Sequence, residues 1–217
     1  MQKIDVLLSS ATTDSKGFTV TTSMYKKGQE ATSEIISAAS RLFQQRGFKS
    51  TSFQDLSDQS GVPKGNFYHY FRSKDDLLVA VVEERVSQLD QQIEKLQQEV
   101  SDPLLRLNGF VEFLLQDPTD PFVYGCPHGS LCMELAKGHP DLLSKGNGVL
   151  VRLRNWFSEQ FRTAGIAESD GHALRLLSRM QGIILVTAAF RDEEFARREI
   201  IEVGEWVRSL RPVEAAQ

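Results

Sequence analysis

The residues from Ser33 to Leu77, SEIISAASRLFQQRGFKSTSFQDLSDQSGVPKGNFYHYFRSKDDL, leave the chain little choice but short helices separated by tight turns. Ile35, Ile36, Ala39, Leu42 and Phe43 recur at three- and four-residue spacing, which is one apolar helical face. Gly47 follows the last periodic residue, where glycine can take the left-handed conformation that closes a helix. Ser52, with Asp55 three residues on, makes a capping-box-like pair that opens a second helix carrying Phe53 and Leu56. Gly61 stops it, and after Val62 comes Pro63, a residue suited to the first turn of a third helix reaching about Tyr70. Ser73 caps a fourth.

Two short helices joined by a glycine-containing turn match the helix-turn-helix pattern, whose second helix enters the DNA major groove. The third helix has side chains for that task. Lys64 can meet a phosphate or a guanine edge, Gly65 allows close backbone approach, and Asn66 can pair bidentately with adenine. Tyr68, His69 and Lys74 are placed to reach phosphate oxygens. The competing reading makes the aromatics core and the polar residues a solvated face. It suits Phe67 and Phe71, four apart; for Lys64, Asn66, Tyr68 and His69 the DNA reading is the better one.

The order of the whole block resembles the DNA-binding domain of the tetracycline-repressor (TetR) family. The likeness rests on Ala39–Leu42–Phe43, Gly47–Phe48, Thr51–Ser52, Asp55–Leu56, Gly61–Val62, Lys64–Gly65, Phe67 to Phe71 and Ser73 to Leu77, roughly a fifth of the chain. It implies DNA contacts at Thr51, Ser52, Lys64, Gly65, Asn66, Tyr68, His69 and Lys74. The chain departs from the family pattern twice. Pro63 stands where Ser or Thr is usual, removing a side-chain cap, and Asn66 stands where a Thr or similar small residue is usual, so it can read a base that the commoner residue does not.

The formal net charge of −4 at first argues against a nucleic-acid partner. The charge is uneven, however. Residues 1–29 carry Lys3, Lys16, Lys26 and Lys27 against Asp5 and Asp14, residues 30–76 balance six basic with six acidic side chains, and the acidity falls on the rest. Phosphate affinity is therefore expected from a local cluster of Lys49, Lys64, Arg72 and Lys74.

Residues 1–29 lack a strong period and read as an N-terminal tail, with Met24 an alternative start close to where family members begin. Residues 30–76 form the expected helix-turn-helix domain, and residues 77–217 a helical regulatory and dimerisation domain. The fourth helix, through Leu77, Val81, Val82, Val86, Leu89, Ile93 and Leu96, is about 25 residues and so about 38 Å long. Asp102–Pro103 opens a fifth; Asp117 to Pro127 is an expected loop; a sixth covers about Pro127 to Lys137. A seventh is expected from Pro140 to about Phe161, an eighth from Ser169 to Phe190, and Asp192 caps a ninth. With no alternating strand pattern, the fold class is all-α: an N-terminal three-helix helix-turn-helix domain and a C-terminal helical ligand-binding and dimerisation domain. Ile4–Leu8 is too short for a signal or membrane segment, and no stretch reads as a span, so a cytoplasmic location is expected.

Gly182 to Phe190 is apolar nearly all round, and Phe195, Ile200, Ile201, Val203, Trp206, Val207 and Leu210 stripe the last helix. Either one monomer buries these faces, or two helices from each of two copies form a four-helix interface. The resemblance favours a homodimer through the last two helices, reading a palindromic operator in double-stranded DNA. It also implies a small-molecule effector of unknown identity that releases DNA, with Phe110, Phe113, Tyr124, Cys126, His128, Met133, Trp156 and Met180 as candidate lining and Glu134 among the polar anchors.

Cys126 offers a second route to control, because a thiol at a helix N-terminus, close to His128, can be a target for oxidants or electrophiles. Redox-responsive relatives make this an alternative, set against the plain reading of two free structural cysteines. Cys126, Cys132, His128 and His139 lack a metal-ligand spacing. No phosphate loop, metal helix or nucleophile elbow is present, so no catalytic residue, metal or cofactor is expected. An enzyme and a helical adaptor that ignores DNA are the rival classes. The expected function is a DNA-binding regulator, a repressor by family habit.

Overall fold

The computed structural model of the chain describes residues 17–116 and 120–210. Those residues form α-helices and short 3₁₀ turns with no strand among them. Helix α1 (Gly17–Arg46), α2 (Phe53–Ser60) and α3 (Phe67–Tyr70), the last entered through a 3₁₀ turn at Lys64–Asn66, make a compact head. Ile35, Ala39, Leu42, Phe48, Leu56 and Phe67 fill its centre, each at most 3% exposed.

Helix α1 is longer than the sequence period suggests. Residues 17–29, expected as part of a tail, are helical, whereas residues 1–16 lie outside the described residues. A helix already nucleated at its apolar face extends through polar residues at little cost, and the interior Gly28 costs only about 1 kcal/mol.

Helix α4 (Lys74–Glu99) begins at the Ser73 cap, where the hydroxyl accepts the Asp76 N–H, and runs unbroken for 26 residues. At 1.5 Å per residue this is a shaft of about 39 Å. Its buried stripe of Leu77, Leu78, Val81, Val82, Leu89 and Ile93 joins head and body into one continuous core. The body adds α5 (Pro103–Glu112), α6 (Pro121–Tyr124), α7 (Pro127–Gly138), α8 (Leu143–Gly146), α9 (Gly148–Thr163), α10 (Ser169–Phe190) and α11 (Glu193–Ser209).

Caps fix these starts. Asp102 accepts from the N–H groups of Leu104 and Leu105, and Asp192 from that of Phe195. Two stretches differ from expectation. The segment between α5 and α7 is not all loop, since Pro121 opens the single turn of α6, while residues 117–119 lie outside the described residues. The expected seventh helix is split into a 3₁₀ turn, α8 and α9, with the break at Asn147 between two glycines.

Helices α9, α10 and α11 wrap the body core, in which Trp156, Phe157, Phe161, Leu176 and Val203 are at most 1% exposed. Helix α10 is apolar and long enough by composition to cross a membrane, with mean hydropathy 1.3. One face of it packs into the body core, its Ala173, Leu176, Met180, Ile183, Ile184 and Thr187 buried.

Candidate nucleic-acid interface

The second and third helices are held by backbone chemistry that the sequence announces. Ser52 and Asp55 form the reciprocal capping box, with the Asp55 carboxylate accepting the Ser52 N–H at 2.8 Å. The Ser52 bonds, with Arg46 helping less, hold the Asp55 carboxyl below the usual carboxylate range. Gly61 closes α2 at φ 72°, a left-handed geometry that a Cβ would strain. Pro63 then starts the third helix with no side-chain cap, and the Asn66 N–H donates to its carbonyl at 2.8 Å.

This scaffold sorts the block into two faces. Phe67 is fully buried with its ring 5.6 Å from that of Phe53, and Phe71 is 7% exposed. Lys64, Gly65, Asn66, Tyr68 and His69 all face outward, with Tyr68 63% exposed. Tyr68 leans on Phe53 at 5.6 Å between ring centroids, which orients the phenol without hiding it. Lys49 and Arg72 are exposed on the same small head. The result is a solvent-facing set of hydrogen-bonding groups, one cation among them, on a short helix and the turn that enters it.

Three of the expected contact residues have other duties. Thr51 is 1% exposed and its hydroxyl donates to the Gly47 carbonyl at 2.8 Å, so its side chain faces inward rather than toward a duplex. Ser52 is exposed, but its hydroxyl is engaged in the cap. The Lys74 ammonium donates to the carbonyls of Phe48, Lys49 and Thr51 and lies 4.6 Å from the centre of the Phe48 ring. Burial lowers its pKa, with Glu134 and Asp75 opposing. Lys74 thus serves the turn before α2 first.

The eight candidate pocket residues are not brought together. Phe110 and Trp156 meet, with ring centroids 5.3 Å apart, beside Phe157. Tyr124 and Met133 point out of the body instead, at 47% and 60% exposure, and Phe113 lies in a separate 3₁₀ turn. Met180 is core. Open grooves lie between α1 and α4, at Ile36, Tyr70 and Glu84, and between α5 and α11, at Glu112, Ile200 and Gly204; none of the eight lines either.

Cys126 and His128 sit at a different junction. The Cys126 sulfur caps α7 by accepting the Gly129 N–H, and it accepts a second bond from Gln181 Nε2, both at 3.4 Å. Burial, and less strongly Arg85, push the His128 imidazole down to about 3 although the residue keeps part of its surface exposed. Cys126 and Cys132 are both free, and burial, with Cys126 adding to it, pushes the Cys132 thiol up.

Sequence reasoning passed over Arg85, which is 7% exposed and has its guanidinium between head and body. A signal was present: Arg85 falls on the stripe of Leu78, Val81, Val82 and Leu89, where a buried apolar residue is due.

Among the described residues, an all-helical head that presents a helix-turn-helix, joined by a long helix to a helical body, defines the architecture of a helix-turn-helix DNA-binding protein. Residues 35–81 match the family model described as bacterial regulatory proteins, tetR family. An uncharacterised HTH-type transcriptional regulator in the lacX 3' region of Lactococcus lactis is 30% identical over 164 residues, 73% of this chain and 84% of that protein. The chain belongs to the tetR family. The HTH-type transcriptional repressor NemR of Escherichia coli is 38% identical over 64 residues, 30% of this chain and 32% of NemR. The structure of NemR in its reduced form superposes with a TM-score of 0.69 at 23% identity, over 80% of this chain and 95% of that one. A TetR regulator from Chloroflexus aurantiacus has the same fold, with a TM-score of 0.75 at 19% identity over 87% of this chain and all of its own.

Proposed function

We propose that the protein is a homodimeric repressor that binds a palindromic operator and releases it when a small molecule occupies the helical body. The observation that carries this reading is the outward set Lys64, Asn66, Tyr68 and His69, with exposed Gly65 among them, for whose four side chains no hydrogen-bond partner occurs among the described residues. Asn66 reads a base edge, Lys64 and Tyr68 hold phosphates, and Lys49 and Arg72 add charge. The head corresponds to residues 30–76 and the regulatory body to residues 77–217. NemR, named a repressor, supports the sign of regulation.

The exposed face of α10 supports the dimer. Leu174, Ser178, Gly182, Leu185 and Ala189 follow one another at three- and four-residue spacing, with Leu185 68% and Phe190 77% exposed, and Ile201 of α11 adds 59%. Apolar surface of this kind is buried by a second copy through α10 and α11. In the body, Trp156 Nε1, His172 Nδ1 and Thr187 Oγ1 are buried without a hydrogen-bond partner, which supports a polar effector that opens this packed core. Such a regulator works in the cytoplasm.

The Cys126 sulfur, held by Gly129 and Gln181 beside Arg85, favours a second reading in which an oxidant or electrophile is the effector. Selection of bound DNA from a random duplex pool tests the primary reading. An inverted repeat is the expected product, and enrichment of nothing would refute it.

A further inference from the structure

Gly47 ends α1 at φ 89°, and the next two N–H groups, of Phe48 and Lys49, point the same way. Successive amides after a left-handed residue form a small anion-binding concavity. Here the anion is supplied from the body. Glu134, on α7, accepts the Phe48 N–H at 2.8 Å through Oε2 and the Lys49 N–H at 2.7 Å through Oε1. The carboxylate comes so close that a Cβ at Gly47 would lie 3.0 Å from Oε2. The same turn is also held by Lys74 through the carbonyls of Phe48, Lys49 and Thr51, and the His139 ring meets Phe48 edge-on at 5.8 Å. Ser52, three residues after Lys49, caps α2.

We propose that Glu134 is a positioning residue for DNA binding: its carboxylate, carried on the body helix α7, sets the turn that aims α2 and α3 at the duplex. This rests on the operator-binding reading above. The covalent route from body to head runs through α4 at the C-terminal end of the head. Glu134 adds a direct attachment of the body to the turn before α2, on a helix that starts at the Cys126 cap, where Arg85 of α4 donates to the Pro127 carbonyl. Any effector that shifts α7 along its axis therefore pulls directly on the turn before α2. A charged acceptor bonded to two backbone donors is the strong kind of hydrogen bond, and it fixes direction as well as distance.

The test uses the full-length dimer, wild type and the variants Glu134→Ala and Glu134→Gln, with Glu159→Ala on an exposed position of α9 as control. Two duplexes serve as probes: one recovered by the wild-type protein from a random pool, and a scrambled version. Glu134→Ala is expected to weaken the recovered duplex about tenfold while the scrambled one changes by less than about twofold, with Gln between Ala and wild type. Hydrogen exchange of the Phe48 and Lys49 amides should accelerate in the same order, and Glu159→Ala should change neither. If both Glu134 variants bind the recovered duplex as wild type does, the proposal fails. An equal loss on both duplexes also overturns it, because bulk charge would strengthen both once a carboxylate is removed, so that pattern is misfolding; the near-isosteric Gln variant decides the matter if Ala does not fold. Should the wild-type protein recover no duplex at all, the operator-binding reading fails first and this role with it.

Discussion

Arg85 of α4 donates to the Ser40 carbonyl at 2.9 Å and to the Ser40 hydroxyl at 3.1 Å, tying the shaft to α1. The same guanidinium donates to the Pro127 carbonyl at 3.3 Å, at the start of α7. Among the described residues it has no carboxylate within ion-pair distance, and burial pulls it down to about 10, with Cys126 opposing. It therefore stays charged at neutral pH, inside the junction of head, shaft and body.

Removing that cation should be costly. Arg85→Ala is expected to lose about 2–4 kcal/mol of stability in urea unfolding, because it takes away three hydrogen bonds and leaves a cavity. Arg85→Met keeps the stem and removes the buried charge, so it should recover at least half of that loss. Equal losses in the two variants would show that hydrogen bonds, not cavity filling, dominate.

His128 predicts a pH dependence. Its imidazole takes a proton near 6.5 in the unfolded chain and only near 3 in the folded one. Between those values the unfolded state binds more protons, so stability present above pH 6.5 is lost as the pH falls. His128→Asn should flatten this decline by up to about 1.4 kcal/mol per pH unit, read as the difference between urea midpoints of variant and wild type from pH 7 to roughly pH 4.

On the DNA-facing side, Lys64→Ala should weaken every duplex alike and lower the salt slope by about one. Asn66→Ala should instead relax preference at one base position, worth about 1–3 kcal/mol of discrimination. Competition binding with single-base variants of the recovered duplex separates the two effects. An unchanged preference in Asn66→Ala would remove its base-reading role.

The α10 face carries the dimer prediction. Gly182 has open space where a Cβ would go, and Leu185 is 68% exposed, so neither Gly182→Arg nor Leu185→Glu disturbs the protomer's own packing. Both should yield folded monomers by light scattering. Operator affinity should then drop at least about a hundredfold, because two half-sites no longer act together.

What the sequence made legible is local. The Ser52–Asp55 box, the left-handed Gly47 and Gly61 and the Asp102–Pro103 start all follow from residues within four positions of one another, and the length of α4 from a repeat of that same spacing. The outward face from Lys64 to His69 was legible for the same reason, since Phe67 and Phe71 fix which side is core. The intramolecular partners of Lys74 were not legible, because a lysine carries no mark of the carbonyls it will meet and these lie 23 to 26 residues away. Glu134 and Phe48, 86 residues apart, become partners only once α7 packs against α1. The body pocket resisted for a related reason: helical spacing identifies apolar faces, but cannot separate the Phe110–Trp156 core from the exposed Met133.

The most direct test is a fluorescence-anisotropy titration of the intact protein against an inverted-repeat duplex and its scrambled counterpart, from about 50 to 200 mM salt. Binding of the repeat at least about a thousandfold tighter than the scrambled duplex, with both affinities falling steeply as salt rises, is the result expected of two Lys64–Tyr70 segments seated in successive major grooves. No binding to either duplex at the lowest salt, by a protein that is folded and dimeric, would contradict it.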